Sequence, residues 1–582
     1  MNGIKRLKGY LWRHWQSYLL GGLCLFVTAT LVMLIPWWIR AAVSIIEQGG
    51  RREDLVYYAT LIIGAAVGQG VVRAFSRFLI FNAGRAVEYE LRNDVFAHLL
   101  RLPLSFYRSQ MTGDLMSRAI NDINSVRMLL GPGILNLINA PLYYLYAMAL
   151  MLRMDLRMTL VVVLTYPVMA WAFRRFRGKI QHTSLRVQQQ MSALSSHVQE
   201  NLSGIHVVKA YGREQSQTRQ FMELNDDFQA RNMELARLRG IVHPFMGTIS
   251  GLTILAILWY GGSRVIAGDL MIADVVAFIA YLNVLAWPTA AFGWMLALVE
   301  RGKASMGRIE EILRVQPAIA DPPVPAPLPE SGRGIEFRDV CFAYDGKSNG
   351  NAALKNINFH LPRGHKLGIV GRTGAGKTTL VQLIPRLYDV TSGEIRIGGK
   401  DIRTLSLADL RRTVGYVPQD AFLFSTSLRN NLAYGRDGAP EEEILGAVRA
   451  ARLDQDVEAF IRGLDTVVGE RGIALSGGQK QRATLGRAIL FESPFIILDD
   501  CLSSVDAQTE QEILQEFKDL LKDKTCIIIS HRISAVKGAD EILVLDDGEV
   551  VERGTHDSLV LRGGIYSDLF NQQQLSEELE RI

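Results

Sequence analysis

Gly371-Arg372-Thr373-Gly374-Ala375-Gly376-Lys377-Thr378 lies between an apolar run, Lys366 to Val370, and a second apolar stretch carrying Leu380, Leu383 and Ile384. The eight residues fit G-x-x-x-x-G-K-[ST] in a strand–loop–helix setting. Glycines let successive backbone N–H groups converge on phosphate oxygens, and the helix start behind them adds positive potential. In such a loop Lys377 reaches the β- and γ-phosphates and the Thr378 hydroxyl reaches Mg²⁺, with Thr379 next in line. The loop therefore predicts phosphate and Mg²⁺ as ligands. Working outward, the same short apolar runs recur. Phe495 to Leu498 precede Asp499 and Asp500, and Thr525 to Ser530 precede His531. That spacing predicts an α/β domain from about Gly334 to Ile582: a mostly parallel sheet flanked by helices, with ligand sites at strand C-termini. Asp499, ending a buried strand, is the second group expected beside Mg²⁺.

The first 315 residues read differently. A bilayer crossing takes about 20 apolar residues. Six stretches are candidates: Tyr18 to Ile39, from Leu55 to Arg73, Met128 to Leu152, the short Met158 to Phe173, Ile241 to about Ser263, and Leu270 to Val299. Backbone groups in lipid must be satisfied internally, so these are helices of a membrane domain. The basic start of the chain precedes a long apolar run without a cleavage pattern, which reads as a retained first span. Two long polar connections, 73–127 and 174–240, carry eight Arg against five acids and eleven Lys+Arg against six acids. Their positive balance supports a cytoplasmic placement for both loops and for the two termini. Each holds a break, Gln110 to Leu115 in the first and Asn201 to Ile205 followed by Val207 to Glu214 in the second, which reads either as a short transverse helix touching the other half of the chain or as a plain surface turn. Pro317, Pro322, Pro323, Pro325, Pro327 and Pro329 fall within 13 residues, so 316–333 reads as an extended linker.

Overall charge is near balance, 64 Lys+Arg against 59 Asp+Glu, which gives no sign of a nucleic-acid partner. Cys24, Cys341, Cys501 and Cys526 are far apart and form no metal-spaced pair, so they read as small buried hydrophobes in a reducing compartment.

Further motifs make the chain resemble a known family. Leu475-Ser476-Gly477-Gly478-Gln479 matches the signature sequence of the ABC ATPases and lies 20 residues before Asp499. Tyr344 resembles the family's adenine-stacking aromatic, Gln419 its glutamine loop, Ser503-Ser504-Val505-Asp506 the loop crossing the dimer interface, and His531 the switch histidine. Val468-Gly469-Glu470-Arg471-Gly472 is similar to a segment typical of exporters. The resemblance covers nearly the whole chain and is to half-size bacterial multidrug exporters. It implies an all-α six-helix membrane domain fused to a P-loop ATPase domain with a helical subdomain. It also implies an inner-membrane location and ATP-driven transport by a dimer. On that pattern Gln419 completes the Mg²⁺ shell with Thr378 and Asp499, and Ser476, Gly477, Gly478 and Gln479 face the ATP of the opposite subunit. Lys377, Gln419, Asp500 and His531 serve the reaction.

One position departs from the pattern. The family has Glu after the Asp of its second phosphate-site motif; here it is Asp500. The shorter side chain withdraws the carboxylate by roughly 1–1.5 Å, the length of a carbon–carbon bond. An error of about 1 Å can lower a rate on the order of 10²-fold. The resemblance then favours a heterodimer with a second half-transporter, in which this chain's own site is slow and its intact signature completes the partner's site. A homodimer with two slow sites and a regulatory subunit with little hydrolysis are the alternatives. An importer fits less well, since importers usually carry the ATPase on a separate chain. The expected cargo is a small amphipathic molecule or a lipid. Trp37, Trp38, Tyr143, Tyr144, Trp259, Trp287 and Trp294 either line a cavity or form interfacial and packing residues. Asp274 is the one acid in a span, expected close to the outer surface.

Overall fold

The structure, a computed structural model, describes residues 2–580 apart from 329–333, 345–351, 470–474, 506, 521 and 523. It divides into two compact units: 1–97 with 116–314, and 98–115 with 315–582.

The first unit is helical. An amphipathic helix α1 (Asn2–Arg13) buries Leu7 and Tyr10 and leads into α2 (Trp15–Glu47). Then follow α3 (Arg52–Leu99), α4 (Ile134–Met154), α5 (Leu156–Ser203), α6 (Glu214–Ile266) and α7 (Ile272–Arg314). The polar connections are therefore mostly continuations of the spanning helices. Among the described residues, five helices are long and apolar enough to cross a membrane. The fourth predicted span lies inside α5, whose sequence stays uncharged from Met158 to Phe173 before turning basic at Arg174. Met33, Tyr143, Met158, Phe278, Tyr281 and Leu285 form the packed centre of this unit. Close approach depends on small residues. A Cβ on Gly21 would meet Ile80 at 2.5 Å, and one on Gly302 would meet Leu129 at 2.6 Å.

Charged groups buried here are paired, as desolvation requires. Asp274 accepts from Arg40 Nε at 2.5 Å, joining the first span to the last, and caps its own helix by accepting from Met271 N. Asp122 accepts from Ser305 and Arg308. Of the aromatic candidates, Trp259, Trp287 and Trp294 are exposed, Tyr143 is buried, and the Tyr144 hydroxyl is bonded to Thr289. The second loop breaks at Gly204 and Tyr211–Arg213, enclosing a short helix, Ile205–Ala210.

The second unit is α/β. Among its described residues, the strands β1 (Ile335–Phe342), β2 (Leu354–Leu361), β4 (Ser392–Ile397) and β5 (Lys400–Asp401) form a small sheet in the order β2-β1-β4-β5. A larger sheet, with β10 (Glu549–Gly554) at its edge, contains β3 (Lys366–Gly371), β6 (Val414–Val417), β7 (Phe495–Asp499), β8 (Thr525–Ile529) and β9 (Glu541–Asp546) in the order β10-β9-β3-β8-β7-β6. Within it β3 and β6 to β9 are all parallel. Their side chains are buried almost throughout, as expected for a sheet covered on both faces. A separate helical core, including Leu428, Leu432, Ile444, Val448 and Leu490, packs around the helix Gly477–Leu490. The proline-rich stretch is extended but not free. Ala326 N donates to Thr404 O at 2.8 Å, Asp321 accepts from Leu407 N at 2.6 Å, and Lys400 donates to Pro327 O at 2.7 Å. Residues 98–115 also belong to this unit. They carry two six-residue helices, Leu104–Ser109 and Thr112–Ser117, the second running past the unit's edge. Leu100, Leu102 and Leu104 line one cavity of about 500 Å³ with Pro317, Leu387 and Leu407.

Candidate functional site

Because β3, β6, β7 and β8 are parallel and adjacent, their C-terminal ends lie along one edge of the sheet. Those ends lead into Gly371–Thr378, Gln419, Asp499–Asp500 and His531 respectively. Residues up to 160 positions apart are thereby brought to one line, the place where open α/β sheets hold ligands.

The loop after β3 can be traced only with glycine at its two ends. Gly371 has φ 148°, and a Cβ there would stand 2.1 Å from Leu545 O on β9. Gly376 has φ 97°, and its Cβ would meet Ala353 O at 2.7 Å. Between them Arg372, Thr373, Gly374 and Ala375 complete the turn, and the helix Lys377–Leu383 begins. Lys377 is buried and folds back, its Nζ donating to Gly371 O at 2.8 Å and Arg372 O at 2.9 Å. Burial pulls its ammonium below the usual lysine range, opposed by Asp500 and Asp499. Thr378 Oγ1 donates to Asp499 Oδ1 at 3.0 Å, and the Tyr416 hydroxyl donates to Asp499 Oδ2 at 3.1 Å. Asp499 has no exposed surface, and that burial raises its carboxyl above the ordinary range, against the two hydroxyl donors. A buried lysine on a glycine turn, beside a hydroxyl paired with a carboxylate, is a donor set that fits a nucleotide phosphate with Mg²⁺, a hard cation preferring oxygen. The residues that would hold them are Lys377, Thr378 and Asp499.

Asp500 adopts a left-handed backbone, φ 45°, a region in which Asp is enriched over most residues. Its N donates to Ile529 O at 2.9 Å, and its Oδ1 accepts from His531 N at 3.3 Å. The His531 side chain is exposed, as is Gln419 just beyond β6. Tyr344 is 37% exposed; its hydroxyl is 2.8 Å from Thr379 Oγ1, which joins the aromatic to the phosphate loop.

The signature residues occupy a helix start. Ser476 and Gln479 form a reciprocal capping box, with Gln479 N to Ser476 Oγ at 3.2 Å and Ser476 N to Gln479 Oε1 at 2.9 Å. Gln479 also donates to Asp456 at 2.7 Å. Gly477 and Gly478 pass against Ser504; a Cβ on Gly478 would stand 3.0 Å from its carbonyl. Asp506 lies outside the described residues, as do Glu470, Arg471 and Gly472.

Two polar residues at this edge escaped the motif reading. Tyr416 orients Asp499, and Gln481 ties the signature helix to the following loop through Ser503 Oγ (3.0 Å) and Ser504 N (2.9 Å). Tyr416 lies three residues before Gln419, and that closeness was the available signal.

Comparison with known proteins agrees with this geometry. The profile described as "ABC transporter transmembrane region" matches residues 18–289, and that described as "ABC transporter" matches 354–503. The chain is 34% identical to a Bacillus subtilis protein named "Probable multidrug resistance ABC transporter ATP-binding/permease protein", over 98% of both chains. It is 35% identical to the Escherichia coli "Multidrug resistance-like ATP-binding protein MdlA", over 100% of this chain and 98% of that one. It is 32% identical to the "ATP-dependent lipid A-core flippase" of Syntrophus aciditrophicus, over 100% and 97%. A solved structure, "a bacterial Atm1-family ABC exporter with ATP bound", superposes with a TM-score of 0.78 at 26% identity, covering 96% of this chain and 98% of that one. Matched from its first span to its nucleotide edge, the chain belongs to the ABC transporter family as a fused half-size exporter, a membrane-spanning protein that binds and hydrolyses ATP to drive transport as a dimer of half-transporters.

Proposed function

We propose that this chain exports a small amphipathic molecule or a lipid across the cytoplasmic membrane, as the slow-site subunit of a dimer whose termini are cytoplasmic. The multidrug and lipid-flippase names of its relatives support the cargo class. The observation that carries the slow site is Asp500. Its short carboxylate follows the buried Asp499 and is engaged by His531 N, so it is held toward the sheet edge. When bound, Mg²⁺ supplies charge neutralisation to the phosphates. Lys377 and the glycine loop hold the anion, and Thr378 and Asp499 present oxygens to the cation. Asp500 is left to orient water from a position one bond short.

The signature helix start is intact, so Ser476 to Gln479 can complete the site of a second half-transporter carrying its own glutamate. ATP then favours the closed pair of ATPase domains, shifting the membrane helices by differential affinity for two states. Gln419 and His531 are read as groups that sense the terminal phosphate.

Replacing Asp500 tests the slow site. In the purified chain, Asp500→Glu is expected to raise ATP turnover on the order of 10- to 100-fold, the span that about 1 Å of placement commands. Unchanged turnover in a folded, ATP-binding variant would sink the reading.

A further inference from the structure

We propose that Arg108 is a positioning residue for adenine, acting through Tyr344, and that it couples nucleotide binding to the segment 98–115. The proposal rests on reading Tyr344 as the adenine platform. Its guanidinium carbon lies 4.0 Å from the centre of the Tyr344 ring, well within cation–π range. Burial pushes the neighbouring Tyr388 hydroxyl up, and the Arg108 charge opposes that. Tyr344 is otherwise fixed from its edges. Phe342 packs edge-on with centroids at 4.9 Å, Tyr388 does so at 5.4 Å, and Thr379 holds the hydroxyl. Arg108 is thus the cationic partner of a ring that has few other ways to move.

Its origin gives the contact meaning. Arg108 sits in the helix Leu104–Ser109, whose turn is closed by Tyr107 donating to Leu99 O at 2.5 Å. That segment continues directly from α3 on one side and into the helical run 112–154 on the other, both membrane-spanning by length and composition. A purine that uses the Tyr344 ring shares it with a planar guanidinium, and Arg stacks on such surfaces in a way Lys does not. Coupling free energies are reciprocal: if seating Arg108 on the ring strengthens adenine binding, adenine binding strengthens the seat of Arg108.

The test measures affinity, not turnover. Full-length chain in lipid nanodiscs is titrated with ATP and, in parallel, with inorganic triphosphate, which has no adenine. Arg108→Ala is expected to weaken ATP about 3- to 10-fold, the scale of a partly exposed cation–π contact. It should leave triphosphate affinity unchanged, which also reports an intact fold. Arg108→Lys should restore only part of the loss. Equal loss for both ligands, or no loss for ATP, overturns the proposal. Should the alanine variant fail to fold, Arg108→Gln is read by the same two titrations. Tyr344→Ala separates the layers. If it weakens ATP but Arg108→Ala does not, the role of Arg108 falls alone; if it leaves ATP affinity intact, the adenine platform falls with it.

Discussion

Asp499 is a carboxylate sealed from solvent whose two oxygens each accept one hydroxyl. Burial raises its folded-state value above the unfolded one, so its contribution to stability is greatest at low pH and is lost as pH rises through the raised value. At neutral pH the free chain therefore carries a buried negative charge that destabilises it. Asp499→Asn is expected to raise the melting temperature of the nucleotide-free protein by a few degrees at pH 8, with a smaller gain at pH 5. The same variant should lose most of the melting shift that Mg-ATP gives the wild type. A scan with and without Mg-ATP at both pH values checks this, and destabilisation of the free variant at pH 8 would contradict it. At this scale the sequence was legible where chemistry is local. The glycine loop, Asp499 and the Ser476 cap follow from residues within eight positions. Tyr416 and Gln481 were not, since their partners, Asp499 and Ser503–Ser504, meet them only after β6 pairs with β7 and the signature helix docks. The adenine candidate was read as an aromatic alone; its cation, Arg108, lies 236 positions away.

Among the elements, α2 and α7 are tied by a charged pair. Arg40 and Asp274 are both largely removed from solvent, so either one alone would be an uncompensated charge. Removing one partner of such a pair costs about 3–5 kcal/mol, whereas removing both leaves no orphan. Arg40→Ala and Asp274→Ala are each expected to lower the melting temperature of the detergent-solubilised protein sharply. The double variant should recover part of the loss, and strict additivity would show that the two groups do not interact. The one acid that the sequence places in a span is thus engaged by the protein itself. Helix positions were legible from runs of uncharged residues. The fourth was least so, because its uncharged run, Met158 to Phe173, is short before α5 turns basic at Arg174. The proline-rich segment read as a linker from its composition. What composition lacks is the partner backbone, so the bonds from Ala326, Asp321 and Pro327 to residues 400–407 were invisible in it.

For the whole molecule, the consequential question is what completes each ATP site. A chain with a complete phosphate loop, a shortened carboxylate and an intact signature is suited to lend its signature to a partner with a full-length glutamate. Affinity purification of the tagged chain from its native membrane, followed by intact mass of the complex, is expected to return a second, different half-transporter of similar size. Only copies of this chain would mean a homodimer, with Asp500 supporting whatever hydrolysis drives transport. The α/β architecture and the helical membrane unit were both readable from periodicity, and the family resemblance joined them. The membership of 98–115 in the ATPase unit was not, because nothing in a stretch flanked by spanning helices marks it as part of a body that resumes at 315.

That discontinuity sets an order of events during synthesis. The strand β9, against which the phosphate-loop strand pairs, ends at Asp546, so the body that receives Arg108 is not complete until 438 further residues have been made. At translation speeds of about 5–20 residues per second, the segment waits on the order of half a minute or more. Meanwhile Leu102, buried in the finished fold, has no cavity to enter. The ATPase unit therefore contains a piece made long before the rest of it, and its folding cannot close until β9 has been made.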